Sequence, residues 1–425
     1  MSEIDEVRKY FLCPISLQIM NDPVTAVTGI TYDRESIEKW LSTAAAGDAT
    51  TITCPVTMQP LPRDSDLTPN HTLRRLIQAW CIAKGIDRIP TPKPPLDKRH
   101  VLKLLRDLRV SDNCRNIDGG LQQITTLKKI EGLAAESERN RRCMAEGGVM
   151  QAMICFVVRC FKEGKIVGAE EALRILHLVW VDPSTNNEEV KTLVSENNEF
   201  FESLACILGF PRMDNDVDLK SEAMKVLKLV IEASNSSRLE RLRLELFMNI
   251  TKILRESSSL SQQAIKSALQ ILIEACPWGR NRIKIIESGA VFDLIELELT
   301  SKPDRHTTEM IFTLLAHLCT CADGRAQFLQ HAGGIAMVSK RILRVSVATD
   351  DRAIHVLSLI AKFSAKSEVL VEMLKLGAVT KLCMVMQADC AMFLKDKAKE
   401  ILRLHSKVWN NSPCIAVYLL SRQLR

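Results

Sequence analysis

The residues with the most chemical promise are two cysteines in near-matching settings. Cys13 sits in the run FLCPISLQIMNDPV, and Cys54 opens CPVTMQPL. A pair of Cys-bearing loops is the outline of a tetrahedral zinc site, which needs four Cys or His ligands. The ligand count fails here. Three residues after Cys13 stands Ser16, and three after Cys54 stands Thr57, where second ligands belong. The other ligand types in this stretch are His71 and, at its edge, Cys81, so no four-ligand set assembles and no metal or other cofactor is expected. Covalent catalysis by Cys13 is no better served. A reactive thiol needs a neighbouring base or a lowered pKa, and no Cys–His pairing stands out. Cys13 and Cys54 are therefore read as residues that shape their loops.

A few short elements must position those loops. Strand-like residues run from Val24 to Thr28, Gly29 makes a turn, and Asp33 is a good N-cap for a helix reaching Leu41. In that helix Ile37, Trp40 and Leu41 form an i, i+3, i+4 apolar stripe. Residues 42–53, STAAAGDATTIT, read as a mobile polar insert. A second helix starts near Asn70, with Leu73, Leu76, Ile77 and Trp80 on one face. Without metal, a unit of about 70 residues is near the lower limit for independent folding, so polar contacts must supplement its core. Asp22, Asp33, Arg34, Glu35, Asn70 and the hydroxyls at the missing ligand positions are the candidates.

At 425 residues the whole chain exceeds one compact core. Hydrophobic residues make up 46% and aromatics only 5%, which favours packed helices over sandwiches. Residues 1–82 hold 7 Lys+Arg against 10 Asp+Glu, and residues 83–425 hold 50 against 41. That basic bias is weak for so long a body, and no basic run is interleaved with aromatics, so nucleic acid is not an expected partner. The opening residues MSEIDEVRKY contain no apolar leader segment, and no apolar run reaches the roughly 18 residues of a membrane span. Fourteen scattered cysteines, among them Cys155, Cys160, Cys206, Cys276 and Cys383 on apolar helical faces, suit a reducing compartment. The cytosol is the expected location.

Prolines at positions 90, 92, 94 and 95 make residues 83–96 an extended linker. Thr91 in it reads as an ordinary linker residue, with proline-directed phosphorylation as the sharper alternative. Beyond the linker the chain repeats. Helix-like runs start at Ala172, Ala223, Ala268, Ile311, Ala353 and Ala398, in steps of 51, 45, 43, 42 and 45 residues. Gly147, Gly289, Gly333 and Gly377 mark a second landmark of the same period, where a left-handed residue would end one helix before the next. A helical period of 40–47 residues indicates an armadillo or HEAT array. Basic residues precede two of the glycine turns (Arg139, Arg141, Arg142; Arg280, Arg282, Lys284) and read as a solvated face, with a basic rim as the alternative.

The motifs CPISLQIMNDPV, GITYDRESIEKWL, CPVTMQPL and LTPNHTLRRLI resemble the U-box, the metal-free relative of the RING domain. With the linker and the repeats, the chain resembles the plant U-box/armadillo-repeat ubiquitin-protein ligases. The resemblance implies a mainly α chain: a small metal-free RING-like α+β U-box over residues 6–82, then an armadillo-type α-solenoid of six or seven repeats over 97–425. It implies docking of a ubiquitin-charged conjugating enzyme, with ubiquitin passed to a lysine of a protein substrate held by the repeats, and proteasomal turnover as the consequence. By the family pattern, Ile15, Leu17, Trp40 and Pro55 form the docking surface, each with core or loop packing as the plainer reading. Cys13, Cys54, Asp33 and Asn70 shape the loops. Met58 stands where many relatives carry an Arg or Lys that bridges conjugating enzyme and ubiquitin, a charge-assisted contact methionine cannot make. The rival reading is a non-enzymatic armadillo adaptor.

Overall fold

The computed structural model describes residues 9–44, 52–61, 67–83, 96–113, 117–164, 167–180, 192, 197–210, 216–256, 261–410 and 412–416. Most of the expected insert at 42–53, and the linker segment with Thr91, lie outside the described residues. The chain divides into two compact units, Met1–Pro95 and Leu96–Arg425.

In the first unit, β1 (Pro23–Thr25) is the central strand. It pairs antiparallel with β2 (Thr31–Asp33) and β5 (Thr68–Pro69), so that Val24 lies opposite Tyr32 on one side and Pro69 on the other. A second antiparallel pair joins β3 (Ile52–Thr53) to β4 (Pro60–Leu61). Helix α1 (Arg34–Ala44) follows β2 directly, and α2 (His71–Ala83) follows β5. The core is small: Phe11, Met20, Val24, Tyr32, Ile37, Leu61 and Ile77 with the two loop cysteines and Cys81 among its buried members. Trp80 meets Phe11 edge-on at 5.7 Å between ring centroids, a favourable aromatic geometry. So small a core covers only a narrow stripe of each helix. Ile37 and Ile77 are buried as expected, while Trp40 and Leu76 turn outward at 40% and 55% exposure.

The second unit opens with α3 (Lys98–Asn113) and α4 (Ile117–Glu136), then settles into triplets of a short, a middle and a long helix. The short helices include α5 (Glu138–Glu146), α10 (Ser236–Glu240), α13 (Gly279–Glu287), α16 (Ala322–Gln330) and α19 (Ser367–Lys375). The middle helices α6 (Val149–Glu163), α8 (Asn198–Gly209), α11 (Leu244–Arg255), α14 (Ala290–Thr300), α17 (Gly334–Arg341) and α20 (Ala378–Gln387) form one layer. The long helices α4, α7 (Ala169–Trp180), α9 (Asp216–Ala233), α12 (Gln262–Ala275), α15 (Arg305–Leu318), α18 (Val347–Phe363) and α21 (Met392–Leu404) form the other, each packed on the next. A further short helix, α22 (Ser406–Trp409), follows. Three helices per repeat is the armadillo pattern, so the solenoid is of that type. The landmark residues Ala172, Ala223, Ala268, Ile311, Ala353 and Ala398 are all fully buried in long helices.

Hydrogen bonds between repeats span about one period, as nearest-neighbour stacking demands. Asn281 donates to the Leu239 carbonyl and Lys284 to that of Leu242, each 42 residues back. Asn249 donates to Ala205 across 44 residues, and the His405 ring meets the Ala361 carbonyl across another 44. Lys284 thus serves the solenoid rather than a basic rim. Arg141 likewise donates to the Ala134 carbonyl and Arg142 pairs with Glu138, while the half-buried Arg282 donates to the Cys276 carbonyl.

The glycine landmarks are only partly conformational. Gly289 and Gly377 are left-handed, with φ of +85° and +79°. In EGGV, however, the left-handed residue is Gly148 rather than Gly147, and Gly333 is right-handed at φ −91°. At Gly333 an added Cβ would meet the Leu299 Cδ1 at 2.9 Å, the far end of a flexible, half-exposed side chain. Gly324 is tighter still: a Cβ there would overlap the Leu318 carbonyl oxygen. Of the cysteines expected on buried faces, Cys276 and Cys383 are buried and Cys160 partly so, but Cys155 and Cys206 are exposed. No single described helix is long and apolar enough to cross a membrane.

Candidate functional site

The two Cys-Pro loops share one backbone form. Residues Cys13-Pro-Ile-Ser-Leu-Gln18 and Cys54-Pro-Val-Thr-Met-Gln59 each close with the same pair of hydrogen bonds. The Cys13 N–H donates to the Gln18 carbonyl and the Leu17 N–H to the Cys13 carbonyl, both at 2.8 Å. The Cys54 N–H donates to Gln59 at 2.8 Å and the Met58 N–H to Cys54 at 3.0 Å. To close this way, the fifth residue of each loop must be left-handed: Leu17 has φ +56° and Met58 φ +59°. A leucine or methionine in that region costs about 1 kcal/mol or more relative to glycine. Both side chains then stand out into solvent, 73% and 74% exposed.

What replaces zinc is a hydrogen-bonded hub on β2. Cys54 Sγ meets the Tyr32 hydroxyl at 2.9 Å, and accepts from the Thr28 hydroxyl at 3.5 Å and the Thr57 N–H at 3.4 Å. Cys13 Sγ accepts from the Asp33 N–H at 3.3 Å. Adjacent residues of one strand thus hold both loops. Both thiols are wholly buried. Burial alone would raise the Cys54 pKa, but the bonds from Thr28, Thr57 and Tyr32 outweigh it and bring the value down to about 6. At Cys13 burial is likewise opposed, by backbone bonds at Ser16, Asp33 and Ile15 and by the Ser16 hydroxyl, and the net direction is down. Tyr32 is pushed up by burial and by its bond to Cys54, so it stays a proton donor. Ser16 and Thr57, the positions that lack metal ligands, thus support the thiols directly.

The low Cys54 pKa does not make it a nucleophile, because the sulfur is fully covered and its lone pairs face donors. Asp33 departs from its expected cap role. Its Oδ1 accepts from the N–H groups of Asn21 (2.7 Å) and Asp22 (2.9 Å), pinning the strand end of the first loop. Asn70 does cap its helix, accepting from the Leu73 N–H at 3.0 Å, and its amide reaches Thr25 and Thr31 on the sheet. Asp22 takes the Arg34 guanidinium at 2.6 Å and also binds Arg74, which ties α1 to α2.

Of the four expected docking residues, Leu17 is exposed and Trp40 presents its ring while its indole N–H donates to the Thr53 carbonyl at 3.1 Å. That bond fixes Trp40 beside the second loop. Pro55 is half-exposed, and Ile15 is half-buried, packing partly against the core. Val56, the counterpart of Ile15 in the second loop, is 50% exposed and was not anticipated. Tyr32 and Thr28 were also missed; a buried tyrosine on a strand gives no hint in sequence that its hydroxyl meets a thiol.

The family pattern described as the U-box domain matches residues 7–86, and the plant U-box protein ARM repeat region matches residues 100–424. The chain belongs to the plant U-box/armadillo-repeat ubiquitin-protein ligase family. It is similar to the E3 ubiquitin-protein ligase PUB24 of Arabidopsis thaliana, at 41% identity over 99% of this chain and 96% of that one. It is similar also to PUB23 of the same plant, at 40% identity over 98% and 96% of the two chains. PUB22 follows at 38% over 98% of each. All three carry the name E3 ubiquitin-protein ligase, and the present U-box/armadillo chain is a ubiquitin transferase of that kind, which sets the adaptor reading aside.

Proposed function

We propose that the U-box binds a ubiquitin-charged conjugating enzyme across its two loops and α1, and that the armadillo array recruits the protein whose lysine receives the ubiquitin. The observation that carries this reading is the Trp40–Thr53 bond. It holds an exposed tryptophan at the strand that leads into the second loop, with a second exposed apolar side chain, Leu17, on the matching loop. Tryptophan in such a setting is the residue type that most often dominates interface energy. No group of this chain enters the covalent step. The lysine amine attacks the thioester carbonyl, and the conjugating enzyme's cysteine leaves. The ligase contributes by holding the thioester in a reactive arrangement, an effect worth several kcal/mol. A reducing compartment such as the cytosol is part of the same reading, supported by thirteen described cysteines that remain thiols.

The test is self-ubiquitination with ATP, activating enzyme and a set of conjugating enzymes. Ile15→Ala and Trp40→Ala each lower chain formation about tenfold or more; parental rates in both remove the docking surface. Met58 extends the apolar strip rather than supplying a cation. Met58→Arg accordingly raises the rate several-fold, by adding charge-assisted hydrogen bonds to the closed complex. An unchanged rate in that variant shows that the bridging contact is unimportant here.

A further inference from the structure

Around the long helices α15, α18 and α21 lies a group of cations that neighbouring carboxylates match only in part. Arg282 on α13 donates through Nη1 to the Thr320 hydroxyl at 2.8 Å, and that hydroxyl donates to the His317 carbonyl at 2.6 Å. His317 on α15 and His355 on α18 are each half-buried, on neighbouring packed helices. Arg352 lies one turn from His355, 44% exposed, and its closest acid is the adjacent Asp351 at 3.8 Å. Asp351 is already engaged by Lys397 of α21 at 2.5 Å, and Lys362 is paired with Glu400 at 2.9 Å. Of these four cations, Lys362 and Lys397 each hold a carboxylate, Arg352 shares Asp351 only at 3.8 Å, and Arg282 meets the neutral oxygens of Cys276 and Thr320.

The two histidines sense the excess. Burial lowers the pKa of His317, and the next causes are Arg352, Arg282 and His355, with no carboxylate among them. His355 is lowered by burial and then by Lys397, against an opposing pull from Asp351. At its edge the patch offers an apolar contact, Phe393, which is 47% exposed and lies under Lys397.

We propose that the surface formed by Arg282, His317, Arg352 and His355 is the docking site for an acidic segment of the substrate protein. This rests on the reading that the array recruits the substrate, and it assigns that substrate a chemistry. A carboxylate side chain reaching Arg352 meets a guanidinium held only loosely by its neighbour, with Arg282 and two imidazoles alongside. A nucleic acid would need several cations spaced along its backbone, whereas an acidic peptide can be held by one carboxylate on Arg352.

The experiment measures fluorescence anisotropy of a labelled 15-residue Glu/Ser peptide against the full chain. The same peptide with Gln for Glu, and a single-stranded oligonucleotide of equal length, are the comparison probes. The Glu peptide binds, the Gln peptide binds about tenfold more weakly or not at all, and raising salt from 0.05 to 0.5 M releases the complex. Arg352→Gln weakens the Glu peptide a few-fold and Arg352→Glu about tenfold or more, with thermal melts matching the parent chain. The proposal is overturned if the Glu peptide does not bind, if Arg352→Glu binds it as tightly as the parent, or if the oligonucleotide binds as tightly as the peptide. Self-ubiquitination by the parent chain, run alongside, reports on the ligase reading separately, because peptide binding requires no conjugating enzyme.

Discussion

Cys54 in the U-box and Cys276 in the solenoid are both fully buried, yet their thiols move in opposite directions. Cys54 is brought down to about 6 by hydroxyl and amide donors, whereas Cys276, enclosed by apolar side chains, is pushed up to about 12 by burial. Cys319 behaves like Cys276 at about 12, and Cys383 rises to about 11. The two units thus solve the problem of stability differently. The solenoid repeats one apolar contact, long helix on long helix, and treats cysteine as a small hydrophobe. The U-box has too little core for that, and holds its functional loops with a polar hub of hydrogen bonds to buried sulfur.

Three perturbations probe that contrast, each read by hydrogen exchange in the intact chain so that the two units report separately. The largest effect is expected in the solenoid. Leu269→Ala, at a fully buried position of α12, costs about 3 kcal/mol and opens α12 with its neighbours α9 and α15, leaving U-box protection unchanged. Asp22→Ala removes the shared acceptor of Arg34 and Arg74 and costs the U-box about 2 kcal/mol, with no change in the solenoid. If Asp22→Ala proves silent, the Arg34–Asp22–Arg74 tie between α1 and α2 does not help hold the U-box.

The smallest effect is a dependence on pH. The folded U-box holds Cys54 as a thiolate more readily than the unfolded chain does, so this contribution is complete above the ordinary thiol value of 9.0 and is lost as pH falls through about 6. U-box protection therefore rises between pH 6 and 8.5, and Tyr32→Phe, which deletes one donor to the sulfur, flattens the rise. The solenoid thiols are shifted the other way. Their contribution is fully present below 9.0 and declines only above it, so they add no slope over the same window.

Legibility followed the same division. The repeat positions could be read because period is written into sequence: the alanines and Ile311 that lie inside six of the long helices recur at nearly constant steps, and all are buried. In the U-box, the loop outline and the helix start near Asn70 were legible from residue type, while the docking set that includes the exposed Leu17 and Trp40 came from the family pattern. The hub was not. Thr28 and Tyr32 reach Cys54 across 26 and 22 residues, distances at which no periodicity operates. The left-handed turns were hidden for a different reason: such positions are signalled by Gly or Asn, and here Leu17 and Met58 occupy them. Asp33 was read both as a cap and as a loop-shaping residue, because a carboxylate before a helix fits either role, and the fold gives it the second.

Gly324 limits how far the repeats are interchangeable parts. It precedes Arg325, which donates to the carbonyl of Cys319 as Arg282 does to that of Cys276, so it stands where the preceding repeat has Asn281. Asn281 projects its amide to the Leu239 carbonyl, but at Gly324 even a methyl group would strike the Leu318 carbonyl oxygen. A chimera that transplants the Asn281 segment into the following repeat would therefore jam at that joint. Arrays shortened or extended by recombination would have to break elsewhere, which makes this junction a fixed seam in an otherwise modular chain.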